Sequence, residues 1–397
     1  MNKEIFKSFK HKNFKLFFIG QLISVIGTWL QLTAMPWLVY HLTSSSLLLG
    51  LVGFLSQIPI LILAPYAGAV ADRYNRKKIL IITQTLAMIQ AIILGVLTIS
   101  GKLHIWHIIV LAVFVGIVNA FDMPTRQSFI HEMVGKEDLT NAIALNSFMF
   151  NGARFIGPAI AGILIASFGE GLCFILNGIS FLAVIIALLF IKPLSTNYNN
   201  NGLSIFQELI LGIKYIRSKR IIIYVLLLVS ITGIIGVFPT ILMPVFVKDI
   251  YKLDAGGLGI FMSAIGVGAL IGTFSIAYNS KNSGIKKTIV NSALFLGLFV
   301  IAFGVSKNII LSILFLVFTG YFLVSQMVLS NTFLQITVPD DMRGKIMGFF
   351  TMSFMGLAPL GSILAGFLAS KLTAPATVVI GGVICLVITI MIRKEFV

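Results

Sequence analysis

Three groups of ionisable residues stand out because each lies beside or inside a long apolar run. The first is Asp72-Arg73-Tyr-Asn75-Arg76-Lys77-Lys78, where one acid and four bases fall in seven residues. The second is Asn119-Ala-Phe-Asp122-Met-Pro-Thr-Arg126-Gln127. The third is Asn151-Gly-Ala-Arg154-Phe-Ile-Gly157-Pro158-Ala-Ile-Ala-Gly162. Carboxylates and guanidinium groups in such places hold segments together by ion pairs, move protons, or grip charged cargo. Asp122 at membrane depth is costly unless paired. Arg76 and Arg126 are the nearest candidate partners, and a local cap by Arg126 alone is an equal alternative. Arg154 is the only basic residue well inside a span, so it faces a cavity, water or an acid, or it snorkels to the interface.

Other chemistries find no support in the sequence. There is no Gly-x4-Gly-Lys-Ser/Thr loop to hold a nucleotide phosphate, so no cofactor is implied. The five histidines are scattered, and no metal site is expected. Cys173 and Cys385 each sit in an apolar run and read as small core residues. A net charge of +16 would point to nucleic acid in a soluble protein. Here 58% of the residues are hydrophobic and only 11% charged, which excludes a soluble fold. The basic excess belongs instead on loops facing anionic lipid.

A helix needs about 20 mostly apolar residues to cross a bilayer. Twelve such stretches are predicted, at about 16–40, 47–71, 79–100, 104–126, 140–168, 171–191, 221–247, 256–279, 287–305, 308–335, 345–370 and 373–392. An even number puts both ends on one side. Lys and Arg crowd the connections of that side, leaving only Lys102, Lys248, Lys252, Lys307 and Lys371 on the other, so both termini are expected in the cytoplasm. The first run is longer than a signal-peptide core and reads as a membrane span. The longest connection, 192–220, opens with a polar stretch at Ser195–Gly202. It continues with Ile205, Leu209, Ile213 and Ile216 spaced as on a surface helix. It divides an N-terminal half, 1–191, from a C-terminal half, 221–397.

The halves repeat. A shift of 204 residues superposes Gly68 on Gly272, Gly152 on Gly356, Gly157 on Gly361 and Gly162 on Gly366. Glycines mark places where helices approach closely, and Pro158 bends its span. The second copy of the charged turn, near Tyr278–Lys287, has lost the Asp and Arg. Gln31 ends a polar stripe on span 1 that includes Gln21, Ser24 and Thr28. Gln326 and Ser330 share a face of span 10. Such stripes serve as helix–helix glue or as ligand contacts.

The order Gly68, Asp72-Arg73, Arg76-Lys77 resembles the loop 2–3 signature of the major facilitator superfamily. Asn75 stands where the family usually has Gly, and Asn tolerates the left-handed backbone region. Trp29-Leu-Gln31, Asp122-x-Pro-x-Arg126-Gln, Leu139-x-Asn-Ala-x-Ala-Leu-Asn146 and Asn151-x-x-Arg154-x-x-Gly157-Pro158 resemble the branch with enterobactin-type siderophore exporters and macrolide efflux proteins. The resemblance implies an all-α membrane fold of two pseudo-symmetric six-helix halves. It also implies export of an amphipathic small molecule, bound at midplane between the halves. By that resemblance Asp72, Arg73, Arg76, Lys77, Asp122 and Arg126 are gate residues. Gln31, Asn119, Asn151, Arg154 and Gln326 are candidates for the cavity or for proton coupling. A mid-membrane Arg on span 4, present in many drug antiporters, is missing. The implied partners are the cargo, membrane lipids and protons, with no nucleic acid, and the implied state is a monomer in a bacterial inner membrane. A lysophospholipid transporter of the same fold is the competing reading. A membrane-embedded transferase would need interfacial acids, and the outer face offers only Glu170, Asp249 and Asp254.

Overall fold

In hydrocarbon every backbone polar group must be satisfied within its own segment, so apolar runs of this length become helices. A computed structural model describes residues 7–192, 205–278 and 284–396. It is 92% helical, with no strand among the described residues. Among the described residues, twelve helical segments are long and apolar enough to cross a membrane, matching the expected twelve. The polar stretch Ser195–Gly202 and Lys281 of the second charged loop lie outside the described residues.

A short 3-10 turn, Lys7–Lys10, precedes α1 (Lys12–Thr43). Then come α2 (Ser46–Arg73), α3 (Arg76–Ile99), α4 (Ile105–Phe168) and α5 (Glu170–Phe190). The amphipathic stretch forms α6 (Ile205–Ser218), followed by α7 (Arg220–Val245), α8 (Ala255–Tyr278), α9 (Ile285–Val305) and α10 (Ile309–Thr337). The chain ends with α11 (Asp340–Thr351), α12 (Ala358–Lys371) and α13 (Ala374–Ile392). Wide turns at Phe246–Ile250 and Met352–Gly356 follow Pro244 and precede Pro359. Each proline removes one helix hydrogen bond, which a wider turn absorbs.

α4 departs from the expected loop after Arg126. The helix continues to Gly135, whose φ of 69° and ψ of −177° make an elbow before the second arm, Glu137–Phe168. The reason is apolar spacing. Phe129, Ile130, Met133 and Val134 are buried against Phe14, Phe17, Leu80 and Leu188, so the helical pattern outlasts the hydropathy of the span.

The chain divides into two compact units. The first contains Met1–Leu42 and Leu55–Asn201, and the second Thr43–Phe54 and Gly202–Val397. In the first, α3 packs along α5, with Gly95 and Gly178 admitting Ile175 and Ile92 of the facing helices. In the second, α10 crosses α8 through Gly268, Gly272 and Gly320, and Ile222, Val225, Ile289, Phe333 and Leu334 fill the core. There the first turns of α2 rest on α12. A Cβ on Gly50 would lie 2.5 Å from Ser362 O, and one on Gly366 2.6 Å from Ser46 O.

Candidate functional site

Asp122 is buried on α4, and its carboxylate collects three donors. Gln84 Nε2 of α3 donates to Oδ1 at 2.7 Å, and Thr83 Oγ1 lies 2.9 Å from the same oxygen. Arg126, one turn further along α4, meets Oδ2 at 2.8 Å. The guanidinium also lies over the Phe150 ring, 5.5 Å from its centre. This set is what a carboxylate at membrane depth requires, because desolvation is tolerable only when the charge is paired and hydrogen-bonded.

A second pair forms nearer the end of the bundle that carries the basic turn. Arg76, the first residue of α3, bonds Glu132 on α4 at 2.8 Å and donates through Nε to Ala71 O at 2.9 Å. The contact of Asp122 with Arg76 envisaged from the sequence is therefore replaced by two separate pairs. Asp122 and Glu132 are ten residues apart on one helix, about 15 Å at 1.5 Å per residue, so one guanidinium cannot serve both. Asp72 lies in the last turn of α2, and its side chain lies outside the described residues. Arg73 is exposed. Lys77 takes a different task, donating to Leu189 O at 3.1 Å and Ile191 O at 2.8 Å, where it caps the last carbonyls of α5. Asn75 is not left-handed: its φ of −62° and ψ of 108° are extended, and its side chain accepts from Lys78 N at 3.0 Å. Asn serves here as the N-cap of α3.

Arg154 sits half-buried on the second arm of α4, its guanidinium 5.3 Å from the centre of the Trp29 ring. Gly157, one turn away, leaves the space that Trp29 occupies, since a Cβ there would collide with that of Trp29. Pro158 and Gly162 are buried in the same arm, and Asn151 donates to Ser147 O at 2.9 Å. Gly68, by contrast, would accept a Cβ with no described atom within 4 Å, so close packing does not explain it.

Gln31 and Gln326 are both buried inside their units. Gln31 accepts from Asn177 at 2.8 Å and donates to Gln90 Oε1 at 3.2 Å, joining α1, α3 and α5. Gln326 accepts from Thr232 at 3.0 Å and donates to Ser330 Oγ at 3.2 Å, joining α7 to α10. Asn119 is half-buried on α4.

Several partners escaped the sequence reading. Glu132 fell in an expected loop, and the 3.6-residue spacing of Phe129, Ile130 and Met133 was the signal that the helix continued past it. Asp138, also buried, holds Lys7 at 3.2 Å, Lys10 at 2.6 Å and His11 at 2.7 Å, tying the N-terminal turn to the second arm of α4. His104 and His107 form a local cap, with His104 N donating to His107 Nδ1 at 3.0 Å. Among the described residues no group of His, Cys, Asp or Glu could hold a metal.

Among the described residues, twelve membrane-length helices with ionic ties buried inside one unit make a multi-span membrane fold. Solved transporters share the fold. A mutant of the nucleoside transporter NupG aligns with a TM-score of 0.79 at 12% identity, covering 98% of this chain and 100% of that one. A bacterial homologue of the human lysosomal transporter Spinster, in an inward-facing and unoccupied conformation, aligns at 0.74 and 13% identity over 97% of this chain and 96% of that one. The chain belongs to the transmembrane secretion effector family of the major facilitator superfamily, whose profile matches residues 4–396. It is a transporter and not an enzyme. Its relatives include the staphyloferrin A transporter of Staphylococcus aureus, 29% identical over 95% of this chain and 94% of that protein. The multidrug efflux pump Tap of Mycolicibacterium fortuitum is 23% identical over 91% and 90%. The enterobactin exporter EntS of Shigella boydii is 24% identical over 97% and 93%.

Proposed function

We propose that this protein exports an amphipathic small organic molecule of the siderophore or drug type by alternating access, driven by proton antiport. It works as a monomer in a bacterial inner membrane, both termini in the cytoplasm, with halves 1–191 and 221–397 joined by the linker 192–220. The basic rim formed by the loops beside Arg76 and Lys77 supports this orientation, because cytoplasmic loops carry the excess of Lys and Arg. The names of the exporters to which it is similar support the cargo class.

One observation carries the coupling assignment. The hydrogen-bond set around Asp122 closes in either protonation state. With Asp122 ionised, Thr83 and Gln84 donate to Oδ1 and Arg126 binds Oδ2. With Asp122 protonated at Oδ1, that hydroxyl donates to Thr83 Oγ1, and Thr83 turns its own proton to Leu80 O, 3.1 Å away. Loss of the charge weakens the hold of Asp122 on Arg126, and so the tie between the two positions on α4 and its neighbour Phe150. Asp72, Arg73, Arg76, Lys77, Asp122 and Arg126 together bias the gate on the cytoplasmic side. Arg154, Gln31, Asn119, Asn151 and Gln326 are the candidates for the cargo path.

The test is export from a deletion strain, screened with siderophores, macrolides and detergents, followed by transport in proteoliposomes with an imposed pH gradient. The expected result is export that slows at least fivefold when the gradient is collapsed. Equal rates with and without the gradient would remove proton coupling, and export of none of the panel would remove the cargo class.

A further inference from the structure

The acids that the first unit buries wholly or in part are answered from within. Asp122 has Arg126, Glu132 has Arg76, Asp138 has Lys7, Lys10 and His11, and Glu170 has His41 at 3.1 Å. Arg154 differs. No ion pair or hydrogen bond joins it to a described residue, and Trp29 is its one charge-stabilising neighbour among them. The residue is half-buried, and no hydrogen-bond acceptor among the described residues meets its guanidinium. About 21 Å of helix separates it from Phe168 at the outer end of its arm, too far for the side chain to reach that interface.

A ring face offsets only part of the cost of holding a guanidinium in a membrane span. The remainder calls for an anion, and this unit supplies none to Arg154 among its described residues. The geometry is also built rather than incidental. Gly157 is what allows Trp29 to lie against the α4 arm one turn from Arg154, and Asn151 stands one turn on the other side. A planar fork with five donors matches a carboxylate in bidentate fashion, and the indole beside it offers an apolar surface to the rest of the same molecule.

We propose that Arg154 and Trp29 form the anchoring site for a carboxylate on the exported amphiphile, which makes the cargo anionic. This inference rests on the export reading above and names the charge of its cargo.

The experiment uses the full-length protein in phosphatidylcholine nanodiscs, with Trp37→Phe and Trp106→Phe so that Trp29 alone emits. Three nitroxides of matched shape serve as quenchers: 3-carboxy-PROXYL, neutral 3-carbamoyl-PROXYL and cationic 3-aminomethyl-PROXYL. The expected result is saturable quenching by the carboxylate at concentrations at least tenfold below either of the others. Arg154→Gln should abolish that preference, and Arg154→Lys, which keeps the charge but loses the fork, should retain part of it. Size-exclusion profiles and melting temperatures establish that each variant is folded. Equal quenching by the three probes, or an unchanged preference in a folded Arg154→Gln, overturns the assignment. Adding phosphatidylglycerol to the nanodiscs separates the sources of the anion. Loss of carboxylate binding to the lipid would overturn the cargo role in favour of a headgroup site, and unchanged binding supports the cargo. Carboxylate preference without detectable export would fault the export reading alone, whereas export indifferent to Arg154 and to cargo charge would fault this inference alone.

Discussion

Asp122 of α4 is tied to Arg126 one turn on, and 204 residues later Gln326 of α10 is tied to Ser330 one turn on. The two sites occupy equivalent places in the two units, and both reach a neighbouring helix, through Thr83 and Gln84 in one and Thr232 in the other. Only the first is charged. The same contrast holds one span further along. Gly157 admits Trp29 in the first unit, and Gly361 brings α12 against Ile234 in the second. Where the first unit has Arg154 the second has Ala358. The duplicated scaffold keeps its close approaches, while the buried acids among the described residues, Asp122, Glu132 and Asp138, all lie in one copy. Buried charges cost stability wherever they occur, which disfavours keeping them in both copies.

The sharpest test of that contrast is Asp122→Asn against Gln326→Ala. Removing the carboxylate leaves a mostly buried guanidinium without its anion, which costs about 3–5 kcal/mol for a buried pair. Transport should fall more than tenfold and the melting temperature of the purified protein should drop. The Gln326 change loses hydrogen bonds in a bilayer-embedded bundle, worth about 0.6 kcal/mol each. Equal effects would break the comparison. Next in size is the Arg76–Glu132 pair. Either Glu132→Gln or Arg76→Gln should cost about 1–3 kcal/mol, with the double variant less destabilised than the two costs added together. Additive losses in that double-mutant cycle would mean that the pair contributes nothing. The glycines give a smaller, finer test, with overpacking costs of about 1–3 kcal/mol. Gly361→Ala should destabilise, because its Cβ would lie 2.6 Å from the backbone oxygen of Ile234. Gly157→Ala should cost at least as much, because its Cβ would collide with that of Trp29, which the α1 backbone holds in place. Gly152→Ala, with no described atom within 4 Å of its Cβ, should leave thermal stability unchanged or slightly raised.

The twelve spans, the linker helix and the candidate pairing of Asp122 with Arg126 were legible in the sequence. Hydropathy is summed along a segment, and an i,i+4 pair on a helix is set by the helix itself, so neither needs knowledge of neighbours. The partners supplied by other elements were not legible. Glu132 looked like a loop residue until the core burial of Phe129, Ile130 and Met133 extended α4 past it. Lys77 reads as a topology charge, yet its ammonium closes the end of α5. Asn75 suggested a left-handed turn and instead caps a helix, because the capped amide of Lys78 decides its backbone. Composition and periodicity settled which segments enter the bilayer and which charges enter with them. The depth and rotation of each helix against its neighbours, which no local rule encodes, decided which of those charges meet.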